Sequence, residues 1–217
     1  SRIIFIYYFI ILIVYIFSSL LKLFGKSKIA IISIFTVVLI IFLSTFLLIK
    51  DTYIYTSLTK ETIWELSFNV NKKYNSKTLG DSRVARWNVA IDLIKDHPIV
   101  GYGIGNEKDV LEIGYRKEGM LISATNRYDA HNLFLGYALE AGFISMAILI
   151  FYIFNSLFFF FRLKSALNFL FFFAIFGICL VEDYLNNNAA IIFLAYFGNL
   201  FLFQTFLSIA KIKDELS

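Results

Sequence analysis

The chain has 217 residues, of which 59% are hydrophobic and 19% aromatic, and its formal net charge is +4. A water-soluble domain of this length needs far more polar surface, so the composition excludes an ordinary soluble globule and indicates an integral membrane protein. A lone cysteine, Cys179, excludes an internal disulfide or a cysteine metal cluster, and no basic stripe with interleaved aromatics points to nucleic acid.

The first stretch, SRIIFIYYFI, has no Met and no basic segment followed by a cleavage site. It does not read as a signal peptide, and further membrane spans of the same protein are expected upstream. Residues 3–21 form a first candidate span and residues 29–49 a second, joined by the basic turn KLFGKSK. Each has the roughly 20 residues that cross about 30 Å of hydrocarbon. From Lys50 to Ala130 the chain is polar and mixed, and a long extracytoplasmic loop is expected over 50–130. Residues 132–161 read as a third span, about 166–181 as a fourth and about 189–209 as a fifth, with three transmembrane helices over 131–210 and a short tail at 211–217. With a single proline in the chain these helices are expected to be mostly unkinked.

Orientation follows from the short connections. Lys22, Lys26 and Lys28 fall on the same side as Arg162 and Lys164, and as Lys211 and Lys213. An excess of basic residues in short loops marks the cytoplasmic face. The 50–130 loop and the 182–188 turn are therefore expected outside, with the C-terminus in the cytoplasm. The expected fold class is all-α, a polytopic membrane protein with about five transmembrane helices.

Within the loop, DSRVARWNVAIDLIKDHP reads as an amphipathic helix over about 82–96. Asp81 or Ser82 can cap its start, and Pro98 marks its stop. Val84, Trp87, Ala90, Ile91 and Ile94 make its apolar stripe, which would lie on the membrane surface or on the transmembrane bundle. Next, VGYGIGN brings Tyr102, Gly103 and Gly105 into a tight loop. Its spacing is not that of a dinucleotide-binding turn. One or two helical turns are expected over 106–113, and 114–130 gives no clear pattern.

Four cationic or basic groups then stand out. His131 opens the third apolar run, where the positive end of a helix favours a neutral imidazole that can serve as a general base. Asn132 beside it can cap or orient. Arg2 lies at the outer end of the first span, where a guanidinium needs an anion or a route to the headgroups. Arg83 and Arg86 are three apart on the first turn of the loop helix and share a face. Cations there oppose the helix dipole, which is easier to understand if a strong anion binds between them. Glu140 falls within the third span, about two turns below His131, and must be paired, neutralised or open to a cavity. Glu182 and Asp183 close the fourth span. No carboxylate and histidine spacing points to a metal. Together, the arginines suit a diphosphate head at the outer membrane face, and the histidine suits a sugar hydroxyl.

The ordered set of motifs resembles the C-terminal half of the O-antigen ligase and O-antigen polymerase superfamily of Wzy/WaaL-type membrane glycosyltransferases. Ser1 and Arg2 beginning a span, SRVARWNVAIDLIKDHPIVGYGIGN and AHNLFLGYALEAGFIS carry the resemblance over nearly all of residues 1–150. It implies a GT-C-like fold in the bacterial inner membrane and an undecaprenyl-diphosphate-linked glycan as donor. It further implies a glycan or lipid-core hydroxyl as acceptor, no cofactor and no metal. By residue-wise transfer His131 is the general base and Arg2 and Arg83 hold the diphosphate. Arg86 matches less well, because Arg83 has the family's spacing to Trp87. The competing reading is a transporter or flippase component that guides the same lipid diphosphate without bond chemistry.

Overall fold

In this computed structural model the chain is described over residues 52–73, 79–163 and 165–215, and at positions 9, 11–13, 15, 16, 19, 33, 36, 37, 40 and 44. Those twelve single positions are all helical. Among them Phe9, Leu12, Tyr15, Ile16, Val37 and Ile40 expose apolar side chains. The first two expected spans otherwise lie outside the described residues, as does Arg2. The chain divides into two compact units, 1–89 with 112–127 and 90–111 with 128–217.

From Tyr53 the first unit has a helical run that the sequence does not advertise. Helix α1 (Tyr53–Thr56) passes through a π-helical segment, Ser57–Glu61, into α2 (Thr62–Glu65). Strands β1 (Lys72–Lys73) and β2 (Leu79–Gly80) form a two-residue antiparallel ladder, with Lys72 opposite Gly80. Helix α3 (Arg83–Asp96) begins in this unit. Ser82 is its cap, because the Ser82 hydroxyl accepts the Ala85 N–H at 3.4 Å as well as the Asn69 N–H at 3.0 Å. Asp81 does other work. Its carboxylate accepts the Asn71 N–H at 2.8 Å, and the Ser123 N–H and hydroxyl at 3.0 and 2.8 Å. It thereby ties the strand region to α5 (Leu121–Thr125), which follows the last turns of α4 (Glu107–Lys117). Ala85, Tyr115, Met120 and Ala124 are buried at its centre.

The expected stripe on α3 is rotated from the buried face. Ala85, Arg86, Val89, Ala90 and Ile94 are buried, whereas Ile91 is exposed and Val84 and Trp87 are half-buried. A charged residue thus occupies a position that hydrophobicity alone assigns to solvent.

The second unit is built on three long helices, α6 (Leu133–Arg162), α7 (Ala166–Val181) and α8 (Asn188–Glu215). A 3₁₀ turn, Tyr184–Asn186, joins the last two. Leu149, Ile153, Phe160, Phe172, Ile175 and Leu194 form the core, with the Phe160 and Phe172 rings stacked at 5.5 Å. Apart from the β1–β2 ladder, the described residues are all-α. Among the described residues, two helices are long and apolar enough to cross a membrane, Leu133–Arg162 and Asn188–Leu207. Helix α7 has 16 residues, or about 24 Å at 1.5 Å each, short of a full hydrocarbon core. On α6 the exposed side chains Ile144, Ile148, Phe151, Phe154, Phe158 and Phe161 recur every three or four residues. That spacing makes one apolar stripe along the helix.

The third expected span is not one unkinked helix. Ala141 and Gly142 leave helical geometry, and Gly142 has φ 76° and ψ −177°, a region open essentially to glycine alone. Such a break orphans the carbonyls before it and the N–H groups after it. The glycine loop satisfies them. Tyr102 N–H donates to Leu139 O at 2.7 Å, Gly103 N–H to Glu140 O at 2.8 Å, and Phe143 N–H to Pro98 O at 2.7 Å. The kink therefore comes from a glycine with a loop inserted against it, which a count of prolines cannot reveal. Residues 143–162 remain as an uninterrupted segment of about 30 Å.

Candidate active site

His131 stands one residue before the cap of α6, in left-handed geometry with φ 48°. Few residues other than glycine adopt that conformation, and it persists only where surrounding contacts hold it. Those contacts are visible. Asn132 is the cap, and its side-chain oxygen accepts the Phe134 and Leu135 N–H groups at 3.1 and 3.2 Å. Its amide donates to Leu180 O at 3.1 Å, pinning the loop to the end of α7. Asp129 Oδ1 accepts the backbone N–H of His131 at 3.0 Å, closing a local turn two residues long.

The imidazole is oriented by two carboxylates. Nδ1 lies 3.1 Å from Asp129 Oδ1 and 3.2 Å from Glu182 Oε2. Two acceptors at one ring nitrogen place the proton on Nδ1 and leave the lone pair of a neutral ring on Nε2. The side chain is 29% exposed, so the ring is open to an incoming group. The ring's immediate electrostatic partners are these acids rather than the end of a helix, since Asn132 separates it from the first turn.

Arg83 and Arg86 do share a face, and they share a carboxylate. Glu65 Oε2 lies 4.0 Å from Arg83 Nε and 3.6 Å from an Arg86 terminal nitrogen, and it accepts the Arg83 backbone N–H at 3.0 Å. Both guanidinium side chains are largely buried, at 12% and 5% exposed. An internal anion therefore already occupies the helix start that the sequence reserves for one. Trp87 follows half-buried on the same helix.

Tyr102, Gly103, Gly105 and Glu140 come together in the second unit. Glu140 is the last residue before the α6 break, and its carboxylate accepts the Gly105 N–H at 2.9 Å. It serves the loop and is not a carboxylate two turns down a continuous span. Tyr102 donates its hydroxyl to Leu93 O at 3.1 Å and sets its ring against His97 at 4.4 Å between centroids. Gly101 is packed hard against the same break, because a Cβ there would lie 2.5 Å from Leu139 O. These residues close the break in α6.

Sequence reasoning missed Glu65 as the partner of the arginines and left Asp129 and Glu182 without roles. The Asp129 spacing to His131 was a usable signal for a side chain that bonds two residues on. Glu182 lies 51 residues from His131, and no local pattern announces that meeting.

Residues 1–150 match the family model described as O-antigen ligase, Wzy_C. No curated protein matches the chain.

Proposed function

The chain belongs to the O-antigen ligase family, and from that premise we propose that it moves a glycan from undecaprenyl diphosphate to an acceptor hydroxyl. The reaction is placed at the outer face of the bacterial cytoplasmic membrane, within a multi-pass GT-C-like protein whose C-terminal tail is cytoplasmic. The observation that carries the reading is the imidazole of His131, held at Nδ1 by Asp129 and Glu182 with Nε2 left for an incoming proton.

In this mechanism Nε2 takes the proton of the acceptor hydroxyl. The oxygen forms its bond to the anomeric carbon from the face opposite the diphosphate. The bond from that carbon to the diphosphate oxygen breaks, undecaprenyl diphosphate leaves with the electron pair, and the linkage inverts. Asp129 and Glu182 fix the tautomer and offset the charge that the ring gains, as a buried carboxylate does in hydrolytic triads. Arg2, Arg83 and Arg86 neutralise the diphosphate as its charge grows. For Arg83 and Arg86 this requires the donor to displace or share Glu65, which makes Glu65 a competitor for the diphosphate. Closeness of two membrane-held substrates supplies much of the rate. Asn132 caps the helix that follows the base, Tyr102, Gly103, Gly105 and Glu140 hold the loop at the break in that helix, and Trp87 stays with the arginines on α3.

The test is donor turnover by the full-length protein in liposomes with defined acceptors. His131→Ala is expected to bind donor and to lose turnover by at least a thousand-fold, roughly the loss seen when a proton-transfer group is removed. A transporter of the same lipid keeps moving donor in that variant, and wild-type-like transfer would sink the base. A product ladder identifies a polymerase and a single addition a ligase.

A further inference from the structure

Glu107 opens α4 and is 3% exposed, an unusual place for a carboxyl. Its Oε1 accepts the Ala130 N–H at 3.2 Å, immediately before His131. Its Oε2 accepts the Asn186 side-chain amide at 3.3 Å. Its carboxyl faces that of Asp183, the neighbour of Glu182. Two facing carboxyls need one proton between them, and the buried Oδ1 of Asp183 has no hydrogen-bond partner in the structure. Asn186 also donates to the second Asp183 oxygen. Gly136 on α6 leaves the room, since a Cβ there would lie 3.2 Å from the Glu107 carboxyl. One side chain thus joins the two segments that bring Asp129 and Glu182 to the imidazole.

We propose that Glu107 is the positioning residue of the His131 base, a carboxylic acid that donates to Asp183 and holds the 129–131 and 182–186 segments in register. The proposal rests on the reading of His131 as the base. Burial first, and then the negative charge of Asp183, push the Glu107 carboxyl up to about 8, so it keeps its proton at neutral pH. Asp183 is raised as well, again by burial first. The titratable groups facing the pair are Asp129 from the loop before α6, Glu140 and Tyr137 from α6, and Cys179 from α7. Glu182 and His131 adjoin them. None of these is a fixed cation, so loss of the shared proton leaves two carboxylates in contact. Their repulsion separates the segments and releases Glu182 from Nδ1.

The test uses full-length protein in lipid, with infrared difference spectra and transfer kinetics followed against pH. Wild type is expected to show a protonated-carboxyl stretch that titrates near pH 8, with kcat falling over the same range. Glu107→Gln, whose amide can donate to Asp183, is expected to lose that band, keep neutral-pH kcat within a few-fold and lose the alkaline fall. Glu107→Ala is expected to lower kcat at least ten-fold with donor KM unchanged. An unaltered acid band in Glu107→Gln, or an intact alkaline fall there, overturns the proposal and leaves the base standing. Full transfer by His131→Ala overturns the base, and the proposal with it.

Discussion

At the scale of single residues, the site is defined less by its histidine than by the acids that hold it. Asp129 Oδ1 and Glu182 Oε2 both reach Nδ1, and either alone can keep the proton on that nitrogen. Asp129→Asn and Glu182→Gln are therefore each expected to slow transfer by roughly ten-fold, the lower end of losses when an orienting partner is removed. The double variant should lose about a thousand-fold, because only then is the tautomer free to invert. Measured kcat for the four proteins in one liposome assay checks this. Additive losses would mean that the two acids act separately. The same scale explains what the sequence withheld. His131 and Asn132 were legible because a polar pair opening an apolar helix is a local pattern. Glu182 and Glu65 were not, because each meets its partner across many residues, 51 in one case and 18 in the other.

Among the elements, the broken helix carries the most consequence. Its hydrophobic run reads as one continuous span, and nothing in the periodicity on either side of Gly142 marks an interruption. The signal was the glycine pattern itself, one in the loop at 101, 103 and 105 and one at 142, whose meeting only the fold supplies. Gly142→Ala puts a Cβ 1.9 Å from Ile99 O with φ at +76°, and Gly101→Ala puts one 2.5 Å from Leu139 O. Neither backbone can retreat without breaking the bonds that close the helix ends. Each substitution is expected to cost more than about 3 kcal/mol and to leave little folded protein. Gly105 has φ +84° and open space around it, so Gly105→Ala carries only the left-handed penalty of about 1–2 kcal/mol. Expression level and thermal midpoint of the three variants should separate cleanly, and equal tolerance at all three positions would refute the inserted loop. Helix α3 teaches a related lesson. Its existence and ends were readable from caps and Pro98, but its buried face was not, because Glu65 makes Arg86 an inward residue.

For the molecule as a whole, composition announced long apolar helices, while the 50–130 segment hid its own order. Residues 107–117 and 121–125 are helical where the sequence showed only a turn or two, or nothing, since their helices are short and held by tertiary bonds such as Asp81 to Ser123. The buried acid pair in the second unit gives the protein a global signature. Glu107 has an ordinary value of 4.5 and rises to about 8 in the folded chain, by burial first and then by the charge of Asp183. Between those two values the folded state binds more protons than the unfolded state, so folding takes up a proton and stability falls as pH rises. Below the lower value both states are protonated and this group's contribution is at its most favourable. Above about 8 both are ionised, and the full cost of a buried anion beside Asp183 remains. Thermal midpoints of the full-length protein should therefore decline between about pH 5 and about pH 8 and level off beyond, opposite to the trend that salt-bridged carboxylates impose. In Glu107→Gln the decline should flatten, because the amide cannot ionise. A slope that is unchanged in that variant would assign the proton uptake to some other group and remove Glu107 from the account.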